Sequence, residues 1–124
     1  MKKLIFALFV LVGITSMSYA QTAEDVASTK GSKELATSKI DGKFIFKMPS
    51  NVTNENVEQT SKYYTHYFTV NFDASSHNAI ITMNENTSKN RYVIARFLTA
   101  NGVKYLSVDG ENLELYVFIE KYLQ

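Results

Sequence analysis

The chain has 124 residues, with 13 Lys or Arg against 12 Asp or Glu, two His and no Cys. That length supports one domain, and the absence of Cys excludes both disulfides and thiolate metal ligands. So even a charge balance offers no field for gathering nucleic acid or anionic lipid, and both partner classes are set aside.

The first twenty residues read as a signal peptide rather than as part of the domain. Lys2 and Lys3 open it, an apolar run follows from Leu4 to Ile14, and Ser18-x-Ala20 gives the small-x-small pattern of a cleavage site. The run falls well short of the roughly 20 residues that a membrane span needs. No Cys follows it, so there is no lipid attachment point. The expected mature chain starts at Gln21, is exported to the periplasm or beyond, and has no membrane association after cleavage. Without Lys2 and Lys3 it carries 11 basic and 12 acidic residues.

Residues 21–39 are polar, with Val26 and Leu35 as the only large apolar side chains. Such a composition buries too little surface to offset chain entropy, so this segment is expected to be a mobile leader. The domain is expected over residues 40–124. Asp41-Gly42 signals a turn, and Phe44, Phe46 and Met48 alternate on one face of a first strand that Pro49 closes. Thr53 is the expected N-cap of a first helix, with Glu55 and Glu58 near its positive end and Val57, Ser61 and Tyr64 turned inward. Phe68, Val70 and Phe72 alternate in a second strand. A turn at Ala74–Asn78 then leads into a third strand, Ala79–Met83, to make a hairpin.

The second helix carries the clearest helical spacing: Thr87 or Ser88 caps it, Val93, Ile94, Phe97 and Leu98 line it, and Asn101-Gly102 ends it. Val103–Val108 is a fourth strand ending at Asp109-Gly110. The tail from Glu111 is read as a helix on Leu115, Phe118, Ile119 and Tyr122, with a fifth strand over Leu115–Ile119 as the alternative. The order is that of an α+β, ferredoxin-like βαββαβ sandwich. It would have a four-stranded antiparallel sheet, first and third strands paired in its middle, and an additional C-terminal helix.

Lys47-Met48-Pro49-Ser50-Asn51-Val52-Thr53, with Val57-Glu58 following in the helix, resembles the strand-to-helix loop of the heavy-metal-associated (HMA-like) domain family. That family writes the loop as G-M-x-C-x-x-C. The resemblance covers roughly residues 43–109. It implies the ferredoxin-like fold, with Met48 packed beneath the loop. Its metal chemistry does not carry over, because Lys47 stands for the Gly and Ser50 and Thr53 stand for the two Cys. Hydroxyls are not ionised near neutral pH and are poor ligands for Cu(I) or Zn(II).

The remaining soft or imidazole donors are Met48, Met83, His66 and His77. His66 and His77 fall at opposite ends of the second strand, where two separate surface histidines are the simpler reading. Met83 reads as core filling. Ser61, His66 and Asp73 supply the residue types of a hydrolase triad but lack a nucleophile-elbow context. Arg91 and Arg96 read as a solvated helix face. Tyr63, Tyr64 and Tyr67 read as a half-buried cluster with Tyr64 inward; exposed tyrosines of this kind also suit binding surfaces.

No catalytic, metal or cofactor residues are assigned, and no enzyme is expected. The expected function is a small exported, non-catalytic binding module that has lost the HMA-type metal site. Its partner would be a protein or small ligand, or a second copy of itself. The alternative is a periplasmic copper-handling protein using Met and His ligands. An open sheet face carrying Ile45, Tyr67, Thr69 and Tyr105 is expected to be covered by the apolar tail, which would otherwise pair with a second copy as a dimer.

Overall fold

Residues 24–124 are described by a computed structural model. The expected signal peptide, residues 1–20, lies outside the described residues. The fold is mixed α+β, with six strands in one sheet. In chain order the strands are β1 (Val26–Ser28), β2 (Lys43–Lys47), β3 (Phe68–Asp73), β4 (Asn78–Met83), β5 (Tyr105–Val108) and β6 (Glu111–Glu114). The helices are α1 (Ser32–Asp41), α2 (Asn54–Ser61), α3 (Ser88–Tyr92), α4 (Ile94–Ala100) and α5 (Leu115–Tyr122), with a 3₁₀ turn at Lys62–Tyr64.

Across the sheet the strands lie in the order β3-β4-β2-β1-β5-β6. Every pairing is antiparallel except that of β1 with β5. The expected hairpin forms as β3–β4, and the expected first and third strands pair as β2–β4. The expected sheet of four strands is corrected to six. One added strand, β1, is inserted between β2 and β5, and the other, β6, lies beyond β5.

Strand β1 overturns the expected leader at residues 21–39. Ala27 is fully buried, and β1 is hydrogen-bonded on both sides although it is only three residues long. Helix α1 follows at once and buries Leu35 and Ser38. Its polar composition is overridden by tertiary contacts: the backbone of β1 is satisfied by two neighbouring strands, and Leu35 joins the common core. Gly42 ends α1 in the left-handed conformation (φ 77°) and donates its amide to Ser38 O at 2.7 Å.

The other helix boundaries follow side-chain chemistry visible in the sequence. At α2, the Thr53 hydroxyl accepts from Asn56 N while Asn56 Oδ1 accepts from Thr53 N, a reciprocal capping box. At α3, the Thr87 hydroxyl accepts from Asn90 N. Helix α4 closes in a Schellman motif: Val103 N donates to Leu98 O and Gly102 N to Thr99 O, with Gly102 at φ 86°. The expected single second helix is two short ones meeting at Val93.

At Asp109-Gly110 the chain does not leave the sheet. Both residues have positive φ (51° and 84°), as a two-residue type I′ hairpin requires, and β6 returns beside β5. The tail then becomes α5, which begins at Leu115, so the strand alternative over Leu115–Ile119 is not realised.

One hydrophobic cluster joins sheet and helices. Phe44, Phe46, Ala79, Ile81, Phe68, Ala27, Leu106 and Leu113 supply the sheet side, while Leu35, Val57, Phe97, Phe118 and Ile119 descend from helices. The helices therefore share one face of the sheet. The tail does not cover the opposite face as expected. Phe118 of α5 packs edge-on to Phe46, with ring centroids 6.1 Å apart, in the same layer as the other helices. This face had room for a further helix because β1, β5 and β6 widen the sheet beyond α2 and α4.

Candidate functional site

The loop that resembles an HMA-type metal site is an ordinary helix start. Met48 is buried, as the resemblance implied, and its amide donates to His77 O at 2.9 Å. His77 Nε2 lies 2.9 Å from Pro49 O; a carbonyl only accepts, so Nε2 carries the proton there. These two bonds pin the β3–β4 turn to the loop. The Thr53 hydroxyl is committed to its capping box, and Ser50 is exposed.

The other sequence candidates stay apart. His66 and His77 flank β3 at opposite ends, and among the described residues no group of three or more His, Asp or Glu is placed to hold a metal ion. Met83 fills the core. The Ser61 hydroxyl donates to Glu58 O, and Asp73 accepts from the Ser75 amide and hydroxyl at the far end of β3, so no Ser-His-Asp arrangement forms. Those bonds from Ser75 hold the Asp73 carboxyl below its ordinary value. In the tyrosine cluster, Tyr64 stacks on Phe68 at 5.9 Å, Tyr67 packs against the core rather than on the open face, and Tyr63 is 81% exposed.

Arg91 corrects the solvated-face reading. Its side chain is buried; Nε donates to Leu123 O at 2.8 Å, and a terminal guanidinium nitrogen donates to Asn86 Oδ1 at 2.6 Å. Burial pushes its pKa down from the usual guanidinium value. Arg91 thus holds the end of α5 against α3. Arg96 is exposed, as expected.

What sequence reasoning did not find is a row of polar residues crossing the whole sheet. The register places Asp73 opposite Asn78, Asn78 opposite Lys47, Lys47 opposite Ser28, Ser28 opposite Ser107, and Ser107 opposite Asn112. Each strand contributes one member. Each member neighbours a core-facing residue of its own strand (Phe72, Ala79, Phe46, Ala27, Leu106 and Leu113), so alternation turns the row to the open face. The signal was unreadable because it depends on β1 and β6, neither of which was expected.

Two clefts meet on this row. One, of about 350 Å³, is lined by Thr29, Lys30, Ile45, Ser75, Ser76 and Asn78 together with Ser28 and Lys47. The other, of about 330 Å³, shares Ser28 and Lys47 and continues past Pro49 and Ser50 to Val26, Ser107 and Asn112. Serines recur in both linings; Lys47 belongs to both clefts and Lys30 to the first. A separate cleft of about 330 Å³ lies between Tyr67, Tyr92, Val93 and Arg96.

Among the described residues, one helical layer covers one face of a mixed sheet and no helix covers the other. Comparison with protein-family models, with curated proteins and with solved structures finds no match. Among the described residues no helix is long and apolar enough to cross a membrane.

Proposed function

We propose that the chain is a small exported, non-catalytic binding module that works through the open face of its sheet. The observation that carries this reading is the pair of clefts meeting at Ser28 and Lys47 on the face that no helix of the described residues covers. Side chains on a paired sheet are held at set spacing, which favours recognition of a ligand with little ordering cost. Ser61, His66 and Asp73 do not come together, so that one hydrolase arrangement plays no part in this reading.

The order β2-α2-β3-β4-α3/α4-β5, with β2 beside β4, supports a ferredoxin-like core into which β1 has been inserted. The buried Met48 beneath a strand-to-helix loop supports descent from an HMA-like domain whose thiolates are gone. Lys2, Lys3, the apolar run and Ser18-x-Ala20 support export. Intact mass of the protein from its native host tests that step: retention of Met1 to Ala20 would overturn it.

Amide chemical-shift mapping of the purified protein against panels of peptides, oligosaccharides and metal ions tests the binding face. Perturbations centred on Ile45, Lys47, Ser107 and Asn112 are expected. Perturbations confined to α3 and α5 would move the function to the helical layer.

A further inference from the structure

We propose that the groove along the cross-sheet row takes an acidic oligosaccharide; this rests on the open face being the working surface. Three observations converge on that ligand chemistry. Along the groove, Asn78, Ser28, Ser107 and Asn112 present amides and hydroxyls, each able to donate and to accept. Sugar hydroxyls have the same double character, so a repeated row of such groups suits a chain of them. Neighbouring strands lie about 4.8 Å apart, which makes the row from Asn78 to Asn112 about 19 Å long. That suits an extended oligomer better than a single small ion.

The second observation is charge. Lys30 and Lys47 line the same cleft, and neither has a carboxylate partner, since the single ion pair among the described residues is Lys121–Glu111. Two carboxylates share this face, Asp73 at the β3 end of the row and Glu114 opposite Tyr105, but neither lines the cleft that holds the two lysines. Two lysines are thus available for carboxylate or sulfate groups. The third observation is Tyr105, 38% exposed, two residues from Ser107 on the same strand and therefore on the same face. Its ring gives the apolar side of a sugar a surface to lie against.

Competing polymers fit less well. A protein partner favours an apolar centre rich in aromatic residues, whereas these linings mix Ser, Asn and Lys with Ile45, Val26, Met48 and Pro49 and hold no aromatic ring. Strand addition would use the outer edge of β3 or β6 and not this face, because β4, β2, β1 and β5 each have a neighbour on both sides. A nucleic acid would meet only two lysines in the groove, on a chain with 11 basic and 12 acidic residues after Ala20.

The test uses the purified full chain, a tetrasaccharide of galacturonate, a neutral tetrasaccharide of glucose, and inorganic phosphate, read by calorimetry and amide shifts. The galacturonate oligomer is expected to bind with shifts along the row, and the neutral oligomer at least about tenfold more weakly, since charged hydrogen bonds carry the difference. Lys30→Gln with Lys47→Gln should remove most of that preference with an unchanged melting temperature, because both side chains are exposed. Ser107→Tyr, which fills the groove, should abolish binding of either oligomer. Phosphate binding as tight as the galacturonate oligomer would overturn the saccharide assignment. Failure of every saccharide, alongside shifts of the same face by another ligand, would overturn this inference and leave the binding face standing. Shifts by saccharide on the helical layer alone would overturn both.

Discussion

The Asp109 carboxylate lies 2.7 Å from the Ser32 hydroxyl and also accepts from the Ser32 amide, although 77 residues separate the two. The acid in the β5–β6 turn thereby caps α1, whose own preceding residue, Gly31, has no side chain to do so. Gly31 is required twice over. Its φ is 130°, and a Cβ there would stand 2.6 Å from Asp109 Oδ1. Asp109→Ala should cost about 0.5–2 kcal/mol, the usual worth of a cap, and Gly31→Ala should cost more. Thermal unfolding checks both. Equal melting of wild type and Asp109→Ala would mean that α1 is held without this cap, by Leu35 and the bonds at its C-terminal end.

Arg91 is the second long-range clasp. Replacing it with Met keeps the volume of the stem but leaves Leu123 O and Asn86 Oδ1 without their donor, a loss of about 1–3 kcal/mol. Lys should rescue little, because one ammonium does not reproduce the two directions of the guanidinium. Hydrogen exchange at Tyr122 and Leu123 is expected to accelerate in Arg91→Met. Unchanged exchange there would show that packing of Leu123, not Arg91, holds the helix end.

Truncation after Gly110 should unfold the protein. It removes β6 and α5, and with them the buried Leu113, Leu115, Phe118, Ile119 and Leu123. At about 1.5–3 kcal/mol for each fully buried side chain, the loss rivals the whole stability of a small domain. Phe46 would also lose its partner Phe118. A truncated chain that stays in solution and melts like the full chain would instead make the tail dispensable to the fold.

Asp73 gives a pH-dependent signature in the β3–β4 turn. Its carboxyl is held below the ordinary value by hydrogen bonds from Ser75. The unfolded chain therefore takes up this proton first. The turn's stabilisation is present above the unfolded carboxylate range near about 4 and is lost as pH falls through the lower folded value. A carboxyl-detected titration should place Asp73 below that range, and Ser75→Ala should raise it. An unmoved Asp73 in Ser75→Ala would rule out the Ser75 hydroxyl as the main cause.

The loop resembling an HMA site is tested by restoring what it lacks. Ser50→Cys with Thr53→Cys should create Zn(II) or Cu(I) binding measurable against a coloured chelator, which the wild type should not show at micromolar concentration. The change also removes the Thr53 cap, so apo stability should fall by about 1 kcal/mol. No metal binding by the double variant would count against the ancestry.

Helix boundaries were legible because their causes are local. Thr53, Thr87 and Gly102 act on amides and carbonyls within a few residues, and the hairpin strands alternate in plain view. Strand β1 was illegible for the opposite reason. Its one buried side chain is Ala27, and its partners Lys47 and residues Tyr105–Ser107 lie far along the chain. Helix α1 was hidden for the same cause, since its cap comes from Asp109. The Asp109-Gly110 pair was visible as a turn. That it starts a hairpin was not, because Leu113 is the single buried residue of β6. The candidate groove depended on both hidden strands and could not be read before them.

Strand β1 also gives the sheet an unusual seam. The first described strand is the sole link between the β3-β4-β2 half and the β5-β6 half, and it meets β2 through one pair, Ser28 with Lys47. Neither half can complete the sheet until the beginning of the domain has found its end. A vacant slot between β2 and β5 fits any chain's residues 26–28, its owner's or a neighbour's. Concentrated protein refolded from denaturant is therefore a natural setting for reciprocal strand exchange, with the segment up to Gly42 as the traded arm and a dimer of intact sheets as the product.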